Sequence, residues 1–338
     1  MNSIPQVSVV IPAYNTEATI AKLLNAVTSE NYNSYECIVI DDCSTDKTVG
    51  IIKSFSNVKY IKMSKNSGPS AARNRGIDES RGDIIIFIDS DIVPISGFIA
   101  EFMRLFSVNP DISAISGIYS KESLFYDGMV EDYRNLQFHY WKKSSLGTGS
   151  NFVASIGAAK KEDILEIGKF NTKYKKADVE DYEIGHRFEQ YGKKILVTDS
   201  VQGRHNAENT MSKLMNVLFN RTREYVPLFM KRIKLENHYA TPLRSIPIIF
   251  SPILLILIIL SVFEPNSLAW AFLFYFITIV LPDFGLYTFI YRERGCWKFV
   301  LYAVIHLICN FVMFTGLLVG FLYWLKQFIN IKNETNFT

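Results

Sequence analysis

Two aspartates, Asp89 and Asp91, stand one residue apart just past the apolar run I-I-I-F-I at Ile84–Ile88. Carboxylates are costly to desolvate unless something pairs with them. Placed at i and i+2 beyond a buried strand, two of them can share one hard divalent cation. Mg2+ or Mn2+ prefers oxygen ligands and keeps waters and substrate phosphate oxygens in its shell. A second acidic pair, Asp41-Asp42, closes the run Y-E-C-I-V-I, and Tyr14-Asn15 and Asn66 follow two further apolar stretches. No G-x-G-x-x-G follows the first apolar run, where the residues are P-A-Y-N-T-E, and no G-x-x-x-x-G-K-[ST] occurs. Phosphate handling therefore falls to Arg73, in N-S-G-P-S-A-A-R-N-R-G, or to a metal ion.

These residues need a scaffold that brings them together. Val7–Pro12, Tyr35–Ile40, Val58–Lys62 and Asp83–Ile88 read as short strands, rich in β-branched residues. Glu17–Thr28, Thr45–Phe55 and Gly68–Ser80 read as helices between them; the first has Ile20, Leu23, Leu24 and Val27 on one face. Strand and helix in alternation imply a mostly parallel α/β sheet with helices on both faces. In such sheets ligands sit beyond the carboxyl ends of the strands. Tyr14, Asp41, Asp42, Asn66, Asp89 and Asp91 all fall at those ends, which predicts one binding crevice.

P-A-Y-N at Pro12–Asn15, V-I-D-D-C-S-T-D at Val39–Asp46, N-S-G-P-S-A-A-R-N-R-G-I at Asn66–Ile77, F-I-D-S-D at Phe87–Asp91 and A-D-V-E-D-Y-E-I-G-H-R-F at Ala177–Phe188 follow in that order. Together they resemble the family 2 glycosyltransferases over roughly residues 5–210. The resemblance implies the GT-A fold, which is Rossmann-like, a nucleotide-diphosphate sugar as donor and a divalent cation, Mg2+ or Mn2+. By the same resemblance Pro12, Tyr14 and Glu17 line the nucleotide pocket. Asp42, with Asp41, bonds the base or ribose, Asn66 stands beside them and Arg73 faces the diphosphate. Asp89 reaches the ribose or the sugar-phosphate side, and Asp91 ligates the metal, with Asp89 and His205 near it. Asp181 is the general base on the acceptor hydroxyl and Glu180 positions the acceptor or its loop. A sugar hydroxyl is a poor nucleophile and must lose its proton as it attacks, and one displacement of this kind inverts the anomeric carbon. The chain departs from the family's usual D-D-G-S at Cys43, where a modest backbone adjustment is expected. Gly147–Asn151 is expected to form a loop on the acceptor side, and Arg187 to pair with acids.

Beyond about Leu243 the composition turns strongly apolar and aromatic. Three runs, Ser245–Phe263, Ser267–Tyr291 and Phe299–Leu325, have the length of membrane spans. Lys231, Arg232, Lys234 and Arg244 precede the first, and Arg292, Arg294 and Lys298 separate the second from the third. The positive-inside tendency puts both groups in the cytoplasm. Met211–Leu235, mixing apolar residues with Lys213, Arg221, Arg223, Lys231 and Arg232, reads as interfacial helices on an anionic leaflet, broken by Pro227. The expected organisation is a catalytic domain over 1–210, amphipathic juxtamembrane helices over 211–244, an all-α region of three spans over 245–325, and a tail over 326–338. Asn333 and Asn336 head N-x-T triplets in that tail. Asp283 and His306 lie inside the spans, where ionisable residues are either functional or packed between helices.

A formal charge of +3 and the lack of a basic, aromatic-interleaved patch argue against a nucleic-acid partner. Cys37, Cys43, Cys296 and Cys309 have neither metal-ligand spacing nor disulfide-scaffold density. The N-terminus lacks a signal-peptide pattern. The catalytic domain is therefore expected in the cytoplasm, on the plasma membrane of a prokaryote. Val93 stands where polyprenyl-phosphate relatives show glutamine in D-x-D-x-Q, and N-R-T-R-E at Asn220–Glu224 is a poor match to the Q-x-x-R-W of processive synthases. A single addition to the hydroxyl of a lipid-linked or surface glycan fits best. The alternatives are a polyprenyl-phosphate acceptor and a non-catalytic nucleotide-sugar-binding membrane protein.

Overall fold

The computed structural model of the chain describes residues 6–149, 152–174, 179–232 and 241–335. It divides into two units, one of residues 1–126 and 142–207 and the other of residues 127–141 and 208–338.

The first unit holds a nine-stranded sheet: β1 (Val7–Ala13), β2 (Tyr35–Asp41), β3 (Val58–Lys62), β4 (Ile84–Ile88), β5 (Ile92–Pro94), β6 (Ile112–Tyr119), β7 (Gly147–Gly149), β8 (Ile156–Lys160) and β9 (Lys194–His205). The order is β3-β2-β1-β4-β8-β6-β9-β5, with β7 added against β9. β3, β2, β1 and β4 run parallel, as their alternation with helices α1 (Ile20–Thr28), α2 (Thr48–Lys53) and α3 (Pro69–Glu79) requires. From β8 onward the sheet is mixed, since β8 runs antiparallel to both β4 and β6, and β5 and β7 run antiparallel to β9. The expectation of a mostly parallel sheet thus holds for the first half alone. Within the mixed half β6 and β9 pair parallel.

Helices α4 (Phe98–Val108), α6 (Lys161–Glu166) and α7 (Glu180–Gln190) complete this unit. The core divides between the two faces of the sheet, because alternate residues of one strand point to opposite sides. Val7, Val9 and Ile11 of β1 pack with α1 and α4, whereas Val10 joins Ile77 of α3 and Ile184 and Phe188 of α7. Gly76 is what lets α3 lie so close, since a side chain there would overlap Val10.

The second unit is helical. It takes most of α5 (Met129–Lys143), a helix inserted between β6 and β7, together with α8 (Met211–Arg232), α9 (Pro242–Leu260), α10 (Ser267–Tyr275), a π-helical turn at Phe276–Val280, and α11 (Phe284–Thr335). Residues 127–141, which fall inside the 1–210 span expected for the first domain, are thus grouped with the C-terminal helices. The α5 sequence E-D-Y-R-N-L-Q looks solvent-facing, yet Glu131, Asp132, Arg134, Asn135 and Gln137 are all buried. Asp132 accounts for part of this, accepting from Arg294 Nη2 at 2.8 Å and from the Tyr302 hydroxyl at 2.6 Å.

α9 is 19 residues long and Phe284–Ile329 is 46. Both are long and apolar enough to cross a membrane. The second expected run, Ser267–Tyr291, is not one helix: its helical part ends at Val280, and α11 begins at Phe284 after a turn through Pro282. α11 itself breaks at Gly295, whose φ of 79° is open to glycine and costly for other residues. α8 is not broken by Pro227, which sits inside a continuous helix. Proline has no N–H, so the Arg223 carbonyl four residues earlier loses its helical donor. That carbonyl faces Gly320, where a Cβ would stand 2.6 Å from the oxygen. Asn151, Ala177, Asp178, Lys234 and Asn336, which entered the sequence expectations, lie outside the described residues.

Candidate active site

A cleft of about 440 Å³ opens at the carboxyl ends of β1, β2 and β4. Pro12 and Tyr14 come from the end of β1, Asp42 follows β2, Asn66 and Gly68 precede α3, and Asp89, Ser90 and Asp91 follow β4. Tyr14 is 47% exposed, a free aromatic face at the rim.

The loops around the cleft are set by carboxylates bonded to backbone. Asp42 accepts from the Ser67 N–H at 2.8 Å and the Gly68 N–H at 2.7 Å, which fixes the turn that launches α3. Gly68 holds that turn at φ 87°, and Pro69 starts the helix where no N–H is needed. Asp41, its neighbour, is fully buried and lies outside the cleft lining; it accepts from the Ser44 N–H at 2.9 Å and the Tyr60 hydroxyl at 3.1 Å. Glu17 is likewise outside the lining, accepting from the Lys47 N–H at 2.9 Å where α2 begins. Cys43 sits at φ 66°, in the left-handed region that favours glycine. Its Sγ lies 3.1 Å from the Met63 carbonyl oxygen.

Arg73 departs furthest from expectation. One turn into α3 and 1% exposed, it does not line the cleft. Its Nη2 donates to Asp89 Oδ1 at 2.6 Å and its Nη1 to Glu180 Oε1 at 3.2 Å. One guanidinium thus joins the cleft wall to the first turn of α7. Two carboxylates facing a buried arginine are the pairing that a buried charge demands, and they hold its proton more firmly than usual.

Asp181 follows Glu180 in α7. Its Oδ2 accepts from the Ala154 N–H at 3.3 Å, and its buried Oδ1 has no hydrogen-bond partner among the described residues. Burial first, then the adjacent Glu180 charge, push its pKa up to about 7, while the Arg73 guanidinium pulls the other way. Glu180 is also raised by burial, against the opposing Arg73 charge. Neither acid lines the cleft; Arg73 is their link to it.

Asp91 and His205 meet, with the imidazole Nε2 3.5 Å from Asp91 Oδ2. β5 and β9 pair Ile92 with His205, which brings the two side chains to one edge. Tyr119, at the end of β6, stacks on the His205 ring with centroids 4.7 Å apart and planes 14° off parallel. Among the described residues no group of three His, Cys, Asp or Glu side chains gathers as a metal site. Asp89, turned to Arg73, is not a third member. One half-exposed carboxylate and one imidazole fit a hard cation that completes its shell with water and phosphate oxygens. They do not make a site that is closed by protein alone.

Sequence reasoning missed Tyr119, the Ala154 N–H and Lys142, whose charge acts on Asp181. Their segments carry no motif, and only the tertiary fold brings Tyr119 to His205 and the other two to Asp181. Arg187 pairs with Glu183 at 2.8 Å, in line with its expected role.

Residues 8–165 match the family model described as Glycosyl transferase family 2. Glycosyltransferase AglE of Haloferax volcanii is 42% identical over 99 residues, which cover 28% of this chain and 33% of that protein. The poly(ribitol-phosphate) beta-N-acetylglucosaminyltransferase TarS of Staphylococcus aureus is 36% identical over 90 residues, covering 25% of this chain and 16% of its own. The matches thus span a third or less of these relatives' length. Among solved structures, the mannosyltransferase PcManGT from Pyrobaculum calidifontis, in complex with GDP-Man and Mn2+, is similar with a TM-score of 0.55 at 19% identity. That alignment covers 93% of this chain and 88% of the other, and it speaks to the fold. Residues 8–165, which supply the cleft, are thus similar to glycosyl transferase family 2, and the domain they belong to is mixed α/β and Rossmann-like, with a fold like that of PcManGT.

Proposed function

We propose that the chain is an inverting glycosyltransferase, moving a sugar from a nucleotide-diphosphate sugar to a hydroxyl of a lipid-linked or cell-surface glycan. In this reading its apolar helices hold it on the membrane and the first unit works in the cytoplasm. The observation that carries it is the Arg73 bridge, which ties cleft residue Asp89 to the Glu180-Asp181 pair. Donor side and base side are then one charge-balanced assembly.

Each group has a part that its surroundings support. Tyr14, Pro12 and Asn66 receive the nucleoside, and Asp42, already fixed by two backbone donors, accepts from a base or ribose donor. Asp91 and His205 would hold a divalent cation, which when bound offsets charge developing on the departing diphosphate. Asp181 takes the proton from the incoming hydroxyl. A base works best with a pKa near the working pH, and Asp181 is raised to about 7 with its Oδ1 unengaged. Arg73 and Glu180 hold Asp181 in place and moderate its charge.

The complex of PcManGT with GDP-Man and Mn2+ makes a nucleotide-diphosphate sugar and a divalent cation the first ligands to try. A polyprenyl-phosphate acceptor is the second reading. It needs little help from a base, so the poised Asp181 favours a hydroxyl. The test is a panel of nucleotide sugars with and without Mn2+, scored by thermal stabilisation and by donor cleavage. A cation-dependent gain with one donor, and loss of cleavage in Asp181→Asn, are expected. No gain with any donor, or full cleavage in Asp181→Asn, would overturn the reading.

A further inference from the structure

The part of α11 after Gly295 carries two sharply different faces. Tyr302, His306, Cys309, Asn310 and Met313 are buried. On the other side Val300, Val304, Ile308, Phe311, Leu318 and Leu322 are exposed at helical spacing, and the half-buried Thr315 between them turns its hydroxyl back to the Val312 carbonyl. The buried face is covered mainly by α5 and α8, both of which carry charges, while Leu307 packs against apolar residues of α9 and α10. Near its start, Tyr302 donates to Asp132 of α5, and His306 meets the Tyr133 hydroxyl at 2.7 Å. Further on, Gly316 and Gly320 lie against the α8 backbone at Phe219 and Arg223. α8 carries Lys213, Arg221, Arg223, Glu224, Lys231 and Arg232.

An upright helix crossing the bilayer would draw those companions into hydrocarbon, where charges are expensive. A helix lying flat, with α5 and α8 on its aqueous side, avoids this. We propose that α11 after Gly295 lies in the plane of the membrane, its exposed stripe facing the acyl chains of one leaflet, and does not span. The ends of the stripe are dressed for a headgroup layer. Trp297 is 75% exposed and Tyr323 54%, and Lys298 and Lys326 bound the uncharged stretch. Aromatic rings favour that layer, and lysines extend their ammonium groups toward lipid phosphates. Membrane insertion then falls to α9 and α10 rather than to three upright spans. This proposal is independent of the chemistry assigned to the cleft, though it rests on the bilayer as partner.

The full chain, with Cys43→Ser and Cys296→Ser, would take one bimane label each at Val304→Cys, Ile308→Cys, Leu318→Cys and Leu322→Cys. It would be reconstituted in phosphatidylglycerol–phosphatidylethanolamine vesicles containing lipids brominated at graded acyl depths. All four positions are exposed, so folding is undisturbed; serine at 43 keeps a donor for the Met63 carbonyl. The expected result is one shallow depth for all four labels, within about 5 Å, as for a helix seated in the interface. An upright helix would spread Val304 and Leu322 over roughly 27 Å of rise. A depth profile passing through the bilayer centre would overturn the proposal alone. Absence of quenching at all four would overturn it together with the membrane attachment in the proposed function, and cleavage of a donor by the same sample would still report on the cleft.

Discussion

Replacing Arg73 with methionine would remove a guanidinium that two carboxylates share and leave the carboxylates behind. Arg73 is 1% exposed, and the side chains of Glu180 and Asp89 are 5% and 24% exposed. Neither acid can simply turn to bulk water. Breaking a buried pair by deleting one partner costs about 3–5 kcal/mol, mostly for the charge left unpaired. For a unit of this size that is a fall in Tm of about 6–20 °C. The sign of the pH dependence is fixed as well. Burial already raises Glu180, and losing Arg73 removes the charge that opposed it. A carboxyl with a raised folded-state pKa stabilises fully below its unfolded pKa and loses that contribution as pH rises through the folded value. The deficit of Arg73→Met should therefore be largest at neutral pH and shrink on acidification. Adding Glu180→Gln should restore much of the lost Tm, because one orphaned charge is gone. Thermal unfolding of the wild type, both single variants and the double variant, from acid to neutral pH, measures all of this. A fall of under about 1 kcal/mol in Arg73→Met, or no recovery in the double variant, would refute the bridge as an energetic unit.

Asp181→Asn is expected to lower transfer on the order of 10²- to 10⁴-fold, and wild-type transfer should rise with pH through about 7 as Asp181 ionises. The same raised pKa means that Asp181 weakens the fold above that pH, so the asparagine variant should show a higher Tm there and no advantage in acid, read by a pH series of melts. Asp91→Asn and His205→Ala should each lose the Mn2+-dependent part of stabilisation by GDP or UDP. The full gain is about 2.7 kcal/mol at a hundredfold excess over Kd, measured by thermal shift. Gly320→Val should cost on the order of 1–3 kcal/mol by overpacking, because its Cβ would stand 2.6 Å from the Arg223 oxygen and 3.0 Å from the Val226 Cβ. Unfolding in detergent with the α8 contact as reporter checks it.

What the sequence discloses here depends on how far apart the cooperating residues lie. β1 to β4 and the helices between them were legible because each is a local pattern, an apolar run closed by turn residues, and their parallel order follows from the connections alone. The same holds for Asp42, Asn66, Asp89 and Asp91, which line the cleft simply by following those strands. Arg73 was visible as a cation near a phosphate site, but the carboxylates it pairs with are 16 and 107 residues away and no local rule brings Asp89 and Glu180 to it. Asp41 and Glu17 were drawn into the expected pocket by proximity to it in sequence, whereas their oxygens are taken up by the turns that shape it. The mixed half of the sheet was unreadable for another reason: I-S-A-I-S-G-I-Y places serine and glycine in a buried strand, with Ser116 Oγ accepting from the Val153 N–H, so polarity no longer marks the surface. α5 is the extreme case. Its acids and amides look solvated until Arg294, more than 160 residues on, is brought against Asp132. The third apolar run is long and apolar enough to cross a membrane, but hydropathy averages over a helix and cannot show what each side touches. Its buried side holds His306 and Asn310 among apolar residues, and only the fold brings the Tyr133 hydroxyl of α5 against His306.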